Sequence, residues 1–118
     1  MRYFVDLGSA TPPFEQIRLQ VRDAVSLGEL AAGAKLPTVR ALAAELGLAV
    51  NTVARTYREL EADGVIETRG RAGSFVAPHG DAGQQQAQLV AREFVARARR
   101  LGLDDAAALD LVRAAQHG

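Results

Sequence analysis

With 118 residues, 48% of them apolar, the chain can form one small core and an appendage but not two large domains. It contains no cysteine, which excludes a disulfide framework and a thiolate metal site, and no apolar run of the roughly eighteen residues that a membrane span needs. Fourteen Lys and Arg offset fourteen Asp and Glu, so the formal charge is zero and any affinity for a polyanion must rest on a few placed cations.

Residues 1–8 lack the charged start and apolar centre of a signal peptide, and a soluble cytoplasmic protein is expected. The run from Phe14 to Leu27 is read as helix one. Helix two begins after Pro37 at Thr38, whose hydroxyl can accept a hydrogen bond from a free amide of the first turn. Val39, Leu42, Ala43 and Leu46 then make an apolar stripe at spacings of three and four, and Gly47 supplies the positive φ that ends the helix. Helix three follows a sharp turn. Val50, Val53, Ala54, Tyr57, Leu60 and Glu61 fall on one side, with Asn51, Arg55, Arg58 and Glu59 on the other, at about 100° per residue.

Asp63 and Gly64 stop helix three. Residues 65–68 can then pair with residues 74–77 across the loop Arg69, Gly70, Arg71, Ala72, Gly73, giving a basic hairpin. Two helices joined by a short turn and followed by such a hairpin form the arrangement that places the second helix in the DNA major groove and the loop beside the phosphates. The candidate DNA contacts are Thr38 and Arg40 at the start of helix two, Asn51, Thr52, Arg55 and Arg58 on helix three, and Arg69, Arg71 and Gly73 in the hairpin.

Each has a structural alternative. Arg40 could pair with Glu45, Arg55 with Glu59, and Asn51 or Thr52 could cap helix three. Tyr57 and Phe75 read as core residues, and His79 and His117 are assigned no role. The acidic residues Glu29, Glu45, Glu61 and Asp63 are expected to lie away from the proposed surface. Glycine-rich phosphate loop, HExxH and nucleophile elbow are all missing, so neither an enzyme nor a cofactor is expected.

After Pro78, a linker from His79 to Gly83 leads into a helix from Gln84, with Leu89, Val90, Phe94, Ala98 and Leu101 on one apolar face. Arg97, Arg99 and Arg100 crowd its last turn, where the helix dipole is negative, and Gly102 breaks it. Asp104 can cap a further helix that carries Ala106, Leu109 and Val112. A hairpin of about forty residues cannot bury its own stripe, so it folds back on its own chain or pairs with a second copy.

The stretch from Leu36 to Val76 resembles the winged helix-turn-helix of the GntR family of bacterial transcription regulators. The resemblance is carried by Leu36-Pro37-Thr38-Val39-Arg40, Gly47, Asn51-Thr52-Val53, Tyr57-Arg58-Glu59-Leu60, Gly64 and Gly73-Ser74-Phe75-Val76. Upstream, residues 13–17 and Gly28-Glu29-Leu30 are similar to that family's first helix and its exit. The short tail resembles the YtrA branch, in which two such helices are a dimerisation element.

The resemblance implies an α+β, mainly helical chain. Residues 1–78 would form the winged helix-turn-helix and residues 79–118 an antiparallel two-helix dimerisation hairpin using Leu89, Val90, Phe94, Ala98, Leu101, Leu109 and Val112. It implies a homodimeric regulator, a repressor binding a pseudo-palindrome in double-stranded DNA. A winged-helix protein adaptor is the alternative. A small-molecule effector would sit at the dimer junction or between the tail and helix one. Ala49 and Val50 stand where the branch commonly carries asparagine and proline, which shifts base reading onto Asn51, Thr52 and Arg55.

Overall fold

The structure, a computed structural model, describes residues 2–80 and 82–118. The chain forms two compact units, Met1–His79 and Gly80–Gly118.

In the first unit, helix α1 runs Pro13–Ser26, with proline in its first turn, where the absent N–H removes an amide that would have no helical partner. No side chain caps it. Instead Gln16 and Gln20 tie the preceding segment to its flank: Gln16 Nε2 donates to Asp6 O at 2.8 Å and Thr11 O at 2.7 Å, and the Phe4 amide donates to Gln20 Oε1 at 2.9 Å. Helix α2, Val39–Leu46, begins as expected at Thr38, whose Oγ1 accepts from the Ala41 amide at 3.1 Å. It ends at Gly47, which has φ 66°, a left-handed conformation costly for a residue with a Cβ.

Helix α3, Val50–Ala62, starts at Ala49 with no side-chain cap. Asn51 and Thr52 therefore lie inside its first turn and do not cap it. The buried face is Val53, Thr56, Tyr57 and Leu60. Val50 and Glu61, placed by periodicity on that face, are exposed, because helix rotation at the two ends carries them past the contact with α1 and α2. Thr56 is the position periodicity missed. Its side chain is fully buried because Oγ1 donates to Phe14 O at 2.9 Å, satisfying the hydroxyl inside the α1–α3 contact.

Strands β1, Ile66–Thr68, and β2, Ser74–Val76, pair antiparallel with Ile66 opposite Val76 and Thr68 opposite Ser74. A short 3-10 turn, Gly70–Ala72, closes the loop. On its other edge β2 meets the segment before α2: Gly33 N donates to Val76 O at 2.8 Å, Val76 N to Ala34 O at 2.9 Å, and Leu36 N to Ser74 O at 2.9 Å. The hairpin is thus rooted in the connection that leads into α2. Ile17, Val21, Leu36, Leu42, Val53, Leu60, Ile66 and Val76 close the core beneath these elements.

The second unit consists of α4, Ala82–Arg100, and α5, Asp105–His117, joined by a tight turn at Gly102. The first helix begins earlier than Gln84, which shortens the expected linker. Asp104 caps α5 as expected, accepting from the Ala107 amide at 2.8 Å. Across the turn Arg99 Nη2 meets Asp105 Oδ2 at 3.1 Å, and this hydrogen-bonded guanidinium holds the Asp105 carboxyl below the usual carboxylate range. Ala98 and Ala108 are the buried side chains of this unit among the described residues, whereas Val90, Leu101, Leu109 and Leu111 are all about half exposed or more. No described helix is long and apolar enough to cross a membrane.

Candidate nucleic-acid interface

The nine sequence-selected residues fall into three local settings. At the first, the wing and the start of α2 enclose a groove of about 250 Å³ that contains Thr38, Arg71 and Gly73. Lys35, which the sequence reading did not select, lines the same groove. It is brought there by its bridge to Phe75, the outer rung that roots the wing. Gly73 has φ 110°, and a Cβ added there would lie 3.2 Å from Lys35 Cε. Backbone conformation and the close lysine stem therefore both favour glycine.

Tyr57 forms part of the floor of this groove. Its hydroxyl donates to Pro37 O at 2.6 Å, fixing the backbone immediately before the Thr38 cap. Burial, with a smaller contribution from Tyr3, pushes the Tyr57 hydroxyl well above its ordinary range, so it remains a donor. This core residue thus also orients the entry to α2.

The second setting is the exposed flank of α3. Arg55 Nε donates to Glu59 Oε1 at 3.3 Å, the spacing one turn apart on a helix, and the guanidinium carbon lies 3.8 Å from the centroid of the Phe14 ring. Asn51 and Arg58 are exposed, and Thr52 is half-buried. On α2, Arg40 is exposed and makes no ion pair with Glu45 or any other described residue.

The third setting is the wing tip. Arg69 donates from Nε and Nη2 to the same oxygen of Glu67, at 2.9 and 2.5 Å, and its guanidinium carbon lies 4.4 Å from the Phe75 ring centroid. Phe75 is half-buried and supports this arginine. Arg71 has no ion pair among the described residues. The Arg55–Glu59 pair is the alternative weighed from the sequence, whereas Glu67, which stands directly on Arg69, was not among the acidic residues considered there. Glu67 reaches Arg69 because the arginine directly follows β1, where the chain turns into the 3-10 segment.

A capped helix, a tight turn, a second helix with a polar outward flank and a basic hairpin rooted beside the first define a winged helix-turn-helix, the DNA-binding module of a transcription regulator. Residues 13–76 match the model of the bacterial regulatory proteins of the gntR family, and the chain belongs to that family. It is similar to the HTH-type transcriptional regulator Rv1152 of Mycobacterium tuberculosis, with 50% identity over 99 residues that span 84% of this chain and 81% of the relative. It is also similar to the HTH-type transcriptional repressor YtrA of Bacillus subtilis, with 40% identity over 73 residues, 62% of this chain and 56% of that one. Among solved structures, YtrA of Sulfolobus acidocaldarius, a GntR-family transcription factor, superposes with a TM-score of 0.61 at 28% identity, covering 98% of this chain and 97% of the other. The protein is thus a GntR-family DNA-binding transcription regulator of the winged-helix type.

Proposed function

We propose that this regulator is a cytoplasmic homodimeric repressor that occludes a promoter by binding a pseudo-palindromic operator. The observation that carries the reading is the apolar face left open on the helical hairpin. Val90, Phe94, Leu109 and Val112 line one groove of about 810 Å³ there, and only alanines are buried in that unit among the described residues. A face of this kind beside water is costly, at about 25 cal/mol per Å² of apolar surface, and a second copy of the same hairpin would cover it symmetrically. Leu89 extends the same helix, and Leu101 stands exposed at the turn. Ala98 is already buried within its own unit, so it serves the hairpin and leaves the pairing surface to the larger side chains. The repressor role rests on similarity to the repressor named above.

In this reading α3 enters the major groove. Asn51, Thr52 and Arg55 meet base edges, with Arg58 further along the helix. Thr38, Arg40 and Arg71 meet phosphates, Gly73 lets the backbone come close, and Arg69 follows the groove edge. Two copies would then read half-sites about one helical turn, roughly 34 Å, apart. Selection from random duplexes should recover an inverted repeat, and Arg55→Ala should weaken binding to it by about tenfold or more, the loss expected for one bidentate base contact. Recovery of sequences without two-fold symmetry would reject the dimeric operator.

A further inference from the structure

The cations of α2, α3 and the wing, with Lys35 before them, divide into two kinds. Arg55 and Arg69 are each held twice, by a carboxylate at the N–H edge and by an aromatic ring at the guanidinium face: Glu59 and Phe14 for the first, Glu67 and Phe75 for the second. Lys35, Arg40, Arg58 and Arg71 make no ion pair among the described residues. The nearby Glu15 carboxylate is taken by Arg18, which also reaches Asp63 at 3.5 Å. Glu59 and Glu67 are therefore the direct carboxylate partners of the two clamped arginines.

We propose that Glu59 and Glu67 temper DNA affinity as internal counter-ions that withhold Arg55 and Arg69 from phosphates of arbitrary DNA and yield them only to the stronger contacts of the operator. The inference rests on the reading that these two arginines contact DNA. Both side chains remain accessible, at 55% and 44% exposure, so a duplex can reach them without unfolding anything.

Phosphate offers a paired arginine one anion in exchange for another. A neutral pair brought to the duplex also displaces fewer condensed cations than a free arginine does, so the clamped residues add little to sequence-independent affinity. A base edge offers something the clamp lacks. Arg69 places two nitrogens on a single carboxylate oxygen, and Arg55 uses Nε alone, whereas the O6 and N7 acceptors of guanine match two parallel N–H groups. The aromatic ring contacts the face and leaves the edge free, so Phe14 or Phe75 can keep the guanidinium oriented while the carboxylate is exchanged. Unpaired Lys35, Arg40, Arg58 and Arg71 then supply the nonspecific attraction. This division gives a chain of zero formal charge a way to bind DNA while keeping its background affinity low.

The test uses Glu59→Gln, Glu67→Gln and the double variant of the full chain, which keep side-chain shape and remove charge. Fluorescence anisotropy is measured over a salt series on the selected operator duplex and on a scrambled duplex. Affinity for the scrambled duplex should rise about tenfold in the double variant, and its log–log salt slope should steepen by about 0.9 for each arginine that gains a phosphate. Operator affinity should rise by at least as much, since the parent must break both ion pairs to make those contacts and the double variant need not. An unchanged scrambled-duplex slope, or a gain on the scrambled duplex larger than that on the operator, overturns the inference. Arg55→Ala and Arg69→Ala separate the two levels. If they leave operator binding intact, the contact assignment fails and the inference with it. If they weaken operator binding while the glutamine variants bind the scrambled duplex like the parent, the contacts stand and the counter-ion role fails.

Discussion

The two units solve the problem of apolar surface in opposite ways. The winged-helix unit draws on three helices and a hairpin, so Ile17, Leu42, Leu60 and Val76 are enclosed from several directions and reach zero exposure. The hairpin of α4 and α5 has only two elements, and two packed helices leave each other's outer faces uncovered: Phe94 keeps 37% and Val90 61% of its surface. Apolar side chains thus carry different meanings in the two units. In the first they determine stability, and in the second, on the proposed reading, they serve association.

The sharpest way to break this contrast is Phe94→Asp. A charge in the middle of the open face should leave a monomer and lower operator affinity by about a hundredfold or more, because the linkage between two half-site contacts is lost. Sedimentation velocity and anisotropy check this, and a surviving dimer would remove the open face from the account of assembly. Next in size is Leu60→Ala, which should destabilise the winged-helix unit by about 2 to 5 kcal/mol through lost burial and the cavity left behind. Denaturant unfolding should show that loss to be independent of protein concentration, unlike the effect of Phe94→Asp.

The smallest effect is expected at the join between core and interface. Tyr57→Phe removes the donor to Pro37 O and should cost about 1 kcal/mol. Because burial raises the folded-state pKa of Tyr57, its protonated hydroxyl favours folding fully below the unfolded value of 10.0, and that contribution declines as pH rises beyond it. The parent should therefore lose stability above about pH 10 more steeply than Tyr57→Phe, with half-buried Tyr3 supplying the decline that remains. Equal pH profiles would show that the Tyr57 hydroxyl is as accessible folded as unfolded.

Much of the first unit was legible from local rules. Thr38 and Gly47 bracket α2 because a hydroxyl cap and a left-handed glycine act within one turn of chain. The wing followed from its glycines and alternating residues. Local rules were weaker where contacts join distant parts of the chain. Thr56 looks polar on a helical wheel and is buried because Phe14 O, 42 residues away, accepts its hydrogen bond. Lys35 lay outside every periodic run and is drawn to the wing by a bridge to Phe75. Gln16 and Gln20 gave no motif signal, yet they bind the N-terminal segment to α1.

By itself the sequence determined the order of helices, the caps, the basic hairpin and the surplus of apolar residues in the tail. Each of these depends on neighbours within a few residues, where spacing and backbone preference act directly. Only the tertiary structure decided which of the alternative ion pairs form and which arginines also rest on a ring. Arg55 against Phe14 and Arg69 against Phe75 are contacts across elements, and no one-dimensional spacing encodes the meeting of a guanidinium with a ring brought by another part of the chain.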